Sequence, residues 1–304
     1  MKTIKRNAKP RIDIYQSITD KIINLLEHVN LDEYEAPFAD LAAQGIPYNP
    51  VTKKHYNGIN IPFLWFYQQE KSYRSNHWAS FKQWQDKGGK VRKGERGSQV
   101  VFFKTLLKSE ENDQGEEETA KIPMLRLYTV FNASQVEGYE HEETPAPNTE
   151  SVVTPIEAAD AFCANTGAHI RQGSGGAFYR KSEDFINMPD PVDFVATKFS
   201  GPTENYYSTL FHELTHWTGH PKRLDRELVS HRKDYAKYAI EELVAELGSA
   251  FLCAQTGISQ APRADHALYI KSWLKALRND TKFIFTASAQ AGQAVEYLNS
   301  LQPK

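Results

Sequence analysis

Two histidines four positions apart, with a glutamate directly after the first, carry the strongest chemical signal in the chain: His212-Glu213-Leu214-Thr215-His216. Residues four apart on a helix lie on one face, about one turn apart. Two imidazoles placed that way can ligate one tetrahedral Zn²⁺, at about 2.0–2.1 Å each. A glutamate in the position of Glu213 falls beside the metal rather than on it. There it can take a proton, as general base, from a water held at the site. The pattern needs a helix. Tyr207, Leu210, Phe211, Leu214 and Trp217 supply an apolar stripe at helical spacing, and Gly219 is a natural stop. The competing reading is a partly buried helix with two histidines and an unrelated glutamate, so context decides.

The context is a further ligand. Residues 238–252, YAIEELVAELGSAFL, read as a second helix with Ile240, Leu243, Val244, Leu247 and Phe251 on its apolar side. Glu242 and Glu246, four apart, flank that stripe, and a carboxylate beside a buried face needs a cation or donor. Either can complete the site. The arrangement resembles the gluzincin branch of zincin metallopeptidases. That resemblance implies Glu242 on the metal and Glu246 bonded to an imidazole N–H. The alternative pattern HExxHxxGxxH fails, because Lys222 stands where its last histidine would be. His220 lies eight residues after His212, about 12 Å of helical rise, too far to share one metal. A donor for a developing oxyanion is also needed. Tyr238 is the leading candidate, with Tyr235 and His231 behind it.

Length and charge frame this site. The 304 residues suggest about two domains, and 40% hydrophobic with 24% charged residues is the composition of an ordinary globular protein. No apolar run approaches the roughly 20 residues of a membrane span. The basic N-terminus lacks the apolar core of a secretory signal. Cys163 and Cys253 do not make a disulfide framework, so a cytoplasmic protein is expected. The net charge of −2 hides an asymmetry: residues 1–104 hold 17 Lys and Arg against 10 Asp and Glu. A segregated positive region suits a polyanionic partner.

Aromatic and basic residues are interleaved in that region. Lys53, Lys54, Trp65, Arg74, Trp78 and Trp84 precede a glycine-rich run bearing Lys90, Arg92, Lys93 and Arg96. Single-strand binders stack bases on aromatic faces and track phosphates with cations. The bland alternative is equally open. A domain of this size needs large aromatics in its core, and the basic run can be a solvated hairpin.

The elements that must hold these residues read as α+β. The spacing predicts helices over 12–29 and 76–86, the latter ended by Gly88-Gly89, and strands over 98–107 and 124–131. The polar stretch KSEENDQGEEETAK between the strands reads as a mobile loop. GYEHEETPAPNTES marks a linker. The expected division is therefore an N-terminal α+β domain over 1–137, a linker over 138–151 and a C-terminal domain over 152–304. In that second domain, short strands over 168–188 precede mainly helical sequence from Glu204.

Longer stretches carry a specific resemblance. NPVTKKHYNGIN, SNHWASFKQWQDKGGKVRKGERGSQVVFF and LYTVFNASQVEG resemble the single-stranded-DNA-binding domain of ArdC-type antirestriction proteins, which also occurs in plasmid TraC-type primases. YYSTLFHELTHWTGHPKRLDR and YAIEELVAELGSAFL resemble the zincin-like domain that accompanies it. The likeness runs in order from about residue 11 to residue 300. It implies a conjugative-plasmid product that binds single-stranded DNA without sequence preference and protects incoming DNA from host restriction. It also implies a metal site at His212, His216 and the downstream glutamate, with Glu213 as base. The metal expected is Zn²⁺ or another divalent cation, and a host or DNA-bound protein is the candidate peptidase substrate. No P-loop or polymerase-like carboxylate set supports a nuclease or primase.

Overall fold

A computed structural model of the chain describes residues 13–28, 42, 44–111, 117–140, 156–197, 200–226, 234–258 and 266–303. The chain divides into two compact units, Asp40–Asn148 and Met1–Ala39 with Thr149–Lys304. Helix α1 (Ile14–Glu27) therefore groups with the C-terminal unit rather than with the N-terminal domain expected over 1–137. Its buried Ile18, Ile22 and Leu26 account for the apolar spacing seen in the sequence.

In the unit Asp40–Asn148, β1 (Tyr48–Asn49) and β2 (Lys54–His55) form a tight hairpin. The Asn49 carboxamide oxygen accepts from Val51 N and Thr52 N and closes the turn. Helix α2 (Asn60–Glu70) follows. The sequence showed no helical period there because Ile61, Phe63, Leu64, Trp65 and Phe66 are all buried. The helix expected over 76–86 is instead strand β3 (Trp78–Ser80) and a short helix α3 (Phe81–Asp86). Ser80 and Gln83 form a reciprocal cap that starts the helix at Phe81. Strand β4 (Lys90–Val91) comes next, then β5 (Ser98–Glu111), β6 (Glu117–Asn132) and β7 (Val136–Glu137).

The sheet order is β3-β6-β5, with β4 paired to β7 apart from it. The β5–β6 ladder runs unbroken from Ser98↔Val130 to Glu111↔Glu117. The stretch expected to be a loop is thus largely strand, because the ladder needs only backbone groups. Residues 112–116, between the two strands, lie outside the described part. Side chains alternate across the sheet. One face packs Leu64, Trp78, Val100 and Val130. The other packs Ala79, Trp84, Val91, Ala133 and Val136. The Asn60 carboxamide seals the edge of β5 by bonding Val101 N at 2.7 Å and Val101 O at 2.8 Å.

In the second unit, α4 (Glu157–Asn165) leads into β8 (His169–Gln172), β9 (Phe178–Arg180) and β10 (Phe185–Met188). The sheet order is β8-β10-β9, parallel for β8 and antiparallel for β9. The helices α5 (Pro202–Thr218), α6 (Tyr235–Thr256), α7 (His266–Asn279) and α8 (Phe283–Ser300) complete it. The expected linker lies outside the described residues beyond Glu140. Helix α1 settles on the C-terminal helices, where Thr19 Oγ1 donates to Thr281 O at 2.9 Å and Tyr15 meets Phe285. Among the described residues no helix is long and apolar enough to cross a membrane.

The contact that matters for function is α5 against α6. Phe211, Leu214, Leu252 and Cys253 belong to one buried cluster that also takes in Ile186 and Met188 of the sheet. Gly248 allows the close approach, since a Cβ there would stand 2.6 Å from both Thr215 Cγ2 and Thr215 Oγ1. Thr215 is fully buried and cannot retreat. Gly248→Ala is therefore expected to destabilise the protein by about 1–3 kcal/mol through overpacking. Urea denaturation measures this, and an unchanged midpoint would show that the helices separate freely.

Candidate metal centre and nucleic-acid surface

Helix α5 begins with Pro202 in its first turn, carries Glu204 there, and ends at Gly219. It places His212 and His216 one turn apart and facing α6. Helix α6 is buried almost without interruption from Glu241 to Cys253, so Glu241, Glu242 and Glu246 all lie in the interior. Buried carboxylates need cationic or donor partners, and the histidines are those partners.

The geometry is compact. His212 Nε2 lies 3.1 Å from His216 Nε2. Glu242 reaches both rings, with Oε2 at 3.4 Å from His212 Nε2 and Oε1 at 3.5 Å from His216 Nε2. Donors about 2.0–2.1 Å from a tetrahedral ion stand about 3.3–3.4 Å apart, so this spacing fits a small divalent cation. Among the described residues, His212, His216 and Glu242 are the group able to hold one. Glu213 is buried in the same turn of α5.

The outer faces of the rings are occupied too. Glu246 Oε2 stands 3.7 Å from His212 Nδ1, and Glu241 Oε1 lies 3.2 Å from His216 Nδ1. The Glu241 carboxylate favours a proton on His216 Nδ1 and turns its Nε2 lone pair inward, while Glu246, beyond hydrogen-bond distance, biases His212 the same way through its charge. Two lone pairs and a carboxylate converging at these distances call for a positive charge between them. Without a metal, a proton supplies it. Burial opposes charge on His216, but the Glu242 carboxylate, aided by Glu241, outweighs it and lifts the imidazole to about 10. Burial likewise opposes the Glu242 charge, yet His216 and His212 hold that carboxyl well below its usual range.

Glu241 and Arg226 escaped the sequence. The Arg226 guanidinium grips Glu241 through Nε at 3.0 Å and Nη2 at 2.8 Å, and reaches Thr218 Oγ1 and Thr215 O. It ties the segment after α5 to α6 and locks the carboxylate that orients His216. The doublet Glu241-Glu242 was the available signal, since two adjacent buried carboxylates need separate partners. Glu241→Gln is expected to lower metal affinity by about 10–100-fold without removing a ligand, the usual cost of a lost outer partner. Chelator competition reads this, and an unchanged affinity would leave Glu241 a purely structural residue.

The remaining candidates fall as follows. The Tyr238 hydroxyl sits 3.3 Å from Tyr269 OH. Burial, then the Glu242 charge and the Tyr269 contact, push its pKa up, so it remains a proton donor. His220 turns its Nδ1 to the Lys222 N–H at 3.1 Å and closes the end of the helix. His231 and the Tyr235 side chain lie outside the described residues.

In the other unit the tryptophans require a correction. Trp65, Trp78 and Trp84 are all fully buried. Two of them also bond the backbone, Trp65 Nε1 to Gly45 O at 2.8 Å and Trp84 Nε1 to Phe131 O at 2.9 Å. Trp78 and Trp84 build the cores on the two faces of the sheet, Trp65 is buried on α2, and none of the three can stack on bases. The cations divide. Lys53, Lys54, Lys90, Lys93 and Arg96 are exposed and have no acidic partner among the described residues. Arg92 is engaged, bonding Glu95 Oε1 at 2.9 Å and Ser134 O at 2.6 Å. Arg74 is exposed, and its backbone N–H donates to Ser134 Oγ. Between residues 44 and 104 the sequence holds eleven Lys and Arg against three acidic residues.

Comparison with known proteins agrees with both halves. Residues 12–131 match the N-terminal domain of anti-restriction factor ArdC, and residues 157–290 match a zincin-like metallopeptidase domain. The crystal structure of antirestriction protein ArdC from plasmid R388, in its metal-free form, superposes with a TM-score of 0.77 at 38% identity, covering 95% of this chain and 98% of that one. The chain belongs to the ArdC family of antirestriction proteins. A Mn(II)-bound structure of R388 ArdC superposes with a TM-score of 0.75 at 37% identity, covering 95% of this chain and 98% of that one. Protein y4eC of Sinorhizobium fredii is 39% identical over 99% of this chain and 96% of its own length. DNA primase TraC of Escherichia coli is 36% identical over 98% of this chain, which spans only 28% of that primase. The shared part is thus an ArdC-like portion of a much longer protein.

Proposed function

We propose that this ArdC-family protein is an antirestriction factor that binds single-stranded DNA through the unit 40–148 and protects DNA entering during conjugation in the cytoplasm. Its second unit carries a divalent metal centre of peptidase type, with Zn²⁺ the first candidate and Mn²⁺ the second, since R388 ArdC has been crystallised with Mn(II). The observation that carries the metal centre is the mutual spacing of 3.1, 3.4 and 3.5 Å among His212, His216 and Glu242. His212, His216 and Glu242 would hold the ion, and Glu246 and Glu241 would orient the two rings. A bound divalent ion supplies Lewis acidity to a peptide carbonyl and to the attacking water. Glu213 would serve as the general base toward a water at the site, and Tyr238 would donate to an oxygen on which negative charge develops.

The exposed Lys53, Lys54, Lys90, Lys93 and Arg96 support the DNA reading, because cations without an acidic partner among the described residues can neutralise phosphates. A second reading has its own support. Glu213 is buried beside the ligand histidines, a placement that a purely structural ion does not need. On that reading the antirestriction effect requires cleavage of a host or DNA-bound protein. Titration of the chelator-treated full-length protein with Zn²⁺ and with Mn²⁺ tests the centre. One saturable site per chain is expected, and the absence of saturable binding by either ion would sink the metal reading.

A further inference from the structure

With its tryptophans in the core, the unit 40–148 must offer other rings to any base. Phe102 and Tyr128 are 58% and 48% exposed, and they meet edge to face with centroids 5.5 Å apart. The register pairs Val100 with Tyr128 and Phe102 with Arg126, so these four residues share one face of the sheet. Val100 and Val130 lie on that face beneath the cluster with Leu64 and Trp78. The aromatic pair stands in solvent, with exposed Arg126 directly opposite Phe102. The edge-to-face contact leaves ring surface on each partner uncovered. Neither ring belongs to the two core clusters on the faces of the sheet.

We propose that Phe102 and Tyr128 form a base-stacking platform for single-stranded DNA, with Arg126 contacting the phosphate beside them. The inference rests on the DNA-binding reading above. Charge complementarity selects this occupant: the segment that ends in β5 carries eleven cationic against three acidic residues between 44 and 104. Every base has a π-face, so a platform of this kind binds without sequence preference. It also separates two contributions. The cations set the salt dependence, and the rings set the preference for strands that carry bases.

The test uses the full-length protein and two labelled strands of equal length, oligothymidylate and an abasic phosphodiester, in fluorescence anisotropy at several salt concentrations. The wild type is expected to bind oligothymidylate about tenfold or more tighter than the abasic strand, in the range of one or two base stacks. Phe102→Ala with Tyr128→Ala should bring the two strands within about twofold, while the slope of log affinity against log salt stays unchanged. Phe102→Leu with Tyr128→Leu keeps apolar volume without a flat ring and should behave alike, with thermal melting confirming that both variants fold. Full base preference in both variants overturns the platform and leaves the DNA reading standing. No affinity of the wild type for either strand overturns both. A shift from dimer to monomer in light scattering with base preference intact would make this a self-association face, and that also overturns the proposal.

Discussion

Alanine at His212, His216 or Glu242 is expected to strip the protein of bound divalent metal, while Glu213→Ala keeps it. Each of the first three removes one corner of a site whose donors stand 3.1–3.5 Å apart, and two donors do not hold an ion against water. The loss should exceed the roughly 10–100-fold that follows removal of an outer partner. Glu246→Ala should therefore cost less than Glu242→Ala, because Glu246 faces the Nδ1 of His212 and not its Nε2. The pH dependence has a definite sign. His216 is lifted from 6.5 to about 10 in the metal-free fold. Its imidazolium contact with Glu242 stabilises that fold fully below about pH 6.5 and is lost as pH rises through about 10. Proton and metal compete for the same nitrogen. Apparent metal affinity should rise with pH across 6–8, by up to about tenfold per unit for the one proton released. The carboxylates act in the opposite sense. The pKa of Glu242 is held below 4.5, so its contribution is complete above that value and fades only as pH falls further. Chelator competition at pH 6, 7 and 8 with metal analysis of each variant decides both points. A greater loss from Glu246→Ala than from Glu242→Ala would reverse the roles of the two glutamates, and pH-independent affinity would remove His216 as a ligand.

The histidine pair was legible because its signal is local: one helical turn sets both the spacing and the direction of the rings. Glu241 and Arg226 were not, because their link joins α6 to a segment 15 residues earlier and no periodicity reports it. A count along one face of α6 also admits Glu242 and Glu246 more readily than Glu241, which projects about 100° away from Glu242. The N-terminal aromatics failed for a different reason. Interleaved rings and cations look the same whether the rings stack on bases or on Leu64 and Val130, and only burial separates the two. The exposed pair at Phe102 and Tyr128 was hidden inside what read as ordinary strands. The length of the hairpin was missed because composition argued against packing, whereas the ladder from Ser98 to Glu111 asks only for paired backbone. Helix α1 shows the limit of amphipathic spacing: Ile18, Ile22 and Leu26 announce a buried face without saying which unit buries it.

Protection from restriction should survive Glu213→Ala and fail when Lys90, Lys93 and Arg96 are changed together to glutamate. Shielding requires the strand to be covered, and these cations are exposed without acidic partners among the described residues. Arg92 is left alone because its guanidinium holds Glu95 and Ser134 O, so its loss would confuse folding with binding. Residues 105–304 offer no comparable surplus of positive charge, since they carry 19 Lys and Arg against 28 Asp and Glu. Reversing three charges should reduce the salt slope by about two, at roughly 0.7 per phosphate contact, and weaken single-strand binding on the order of 100-fold at moderate salt. Glu213→Ala removes a buried proton acceptor in the other unit and leaves that surface intact. If antirestriction instead depends on cutting a host or DNA-bound protein, the pattern inverts for Glu213→Ala alone. Conjugation into a restricting and a non-restricting host, with each variant at matched expression, separates the two. Loss of protection with Glu213→Ala, despite wild-type affinity for single-stranded DNA and full metal content, would refute shielding and assign the antirestriction effect to the peptidase centre.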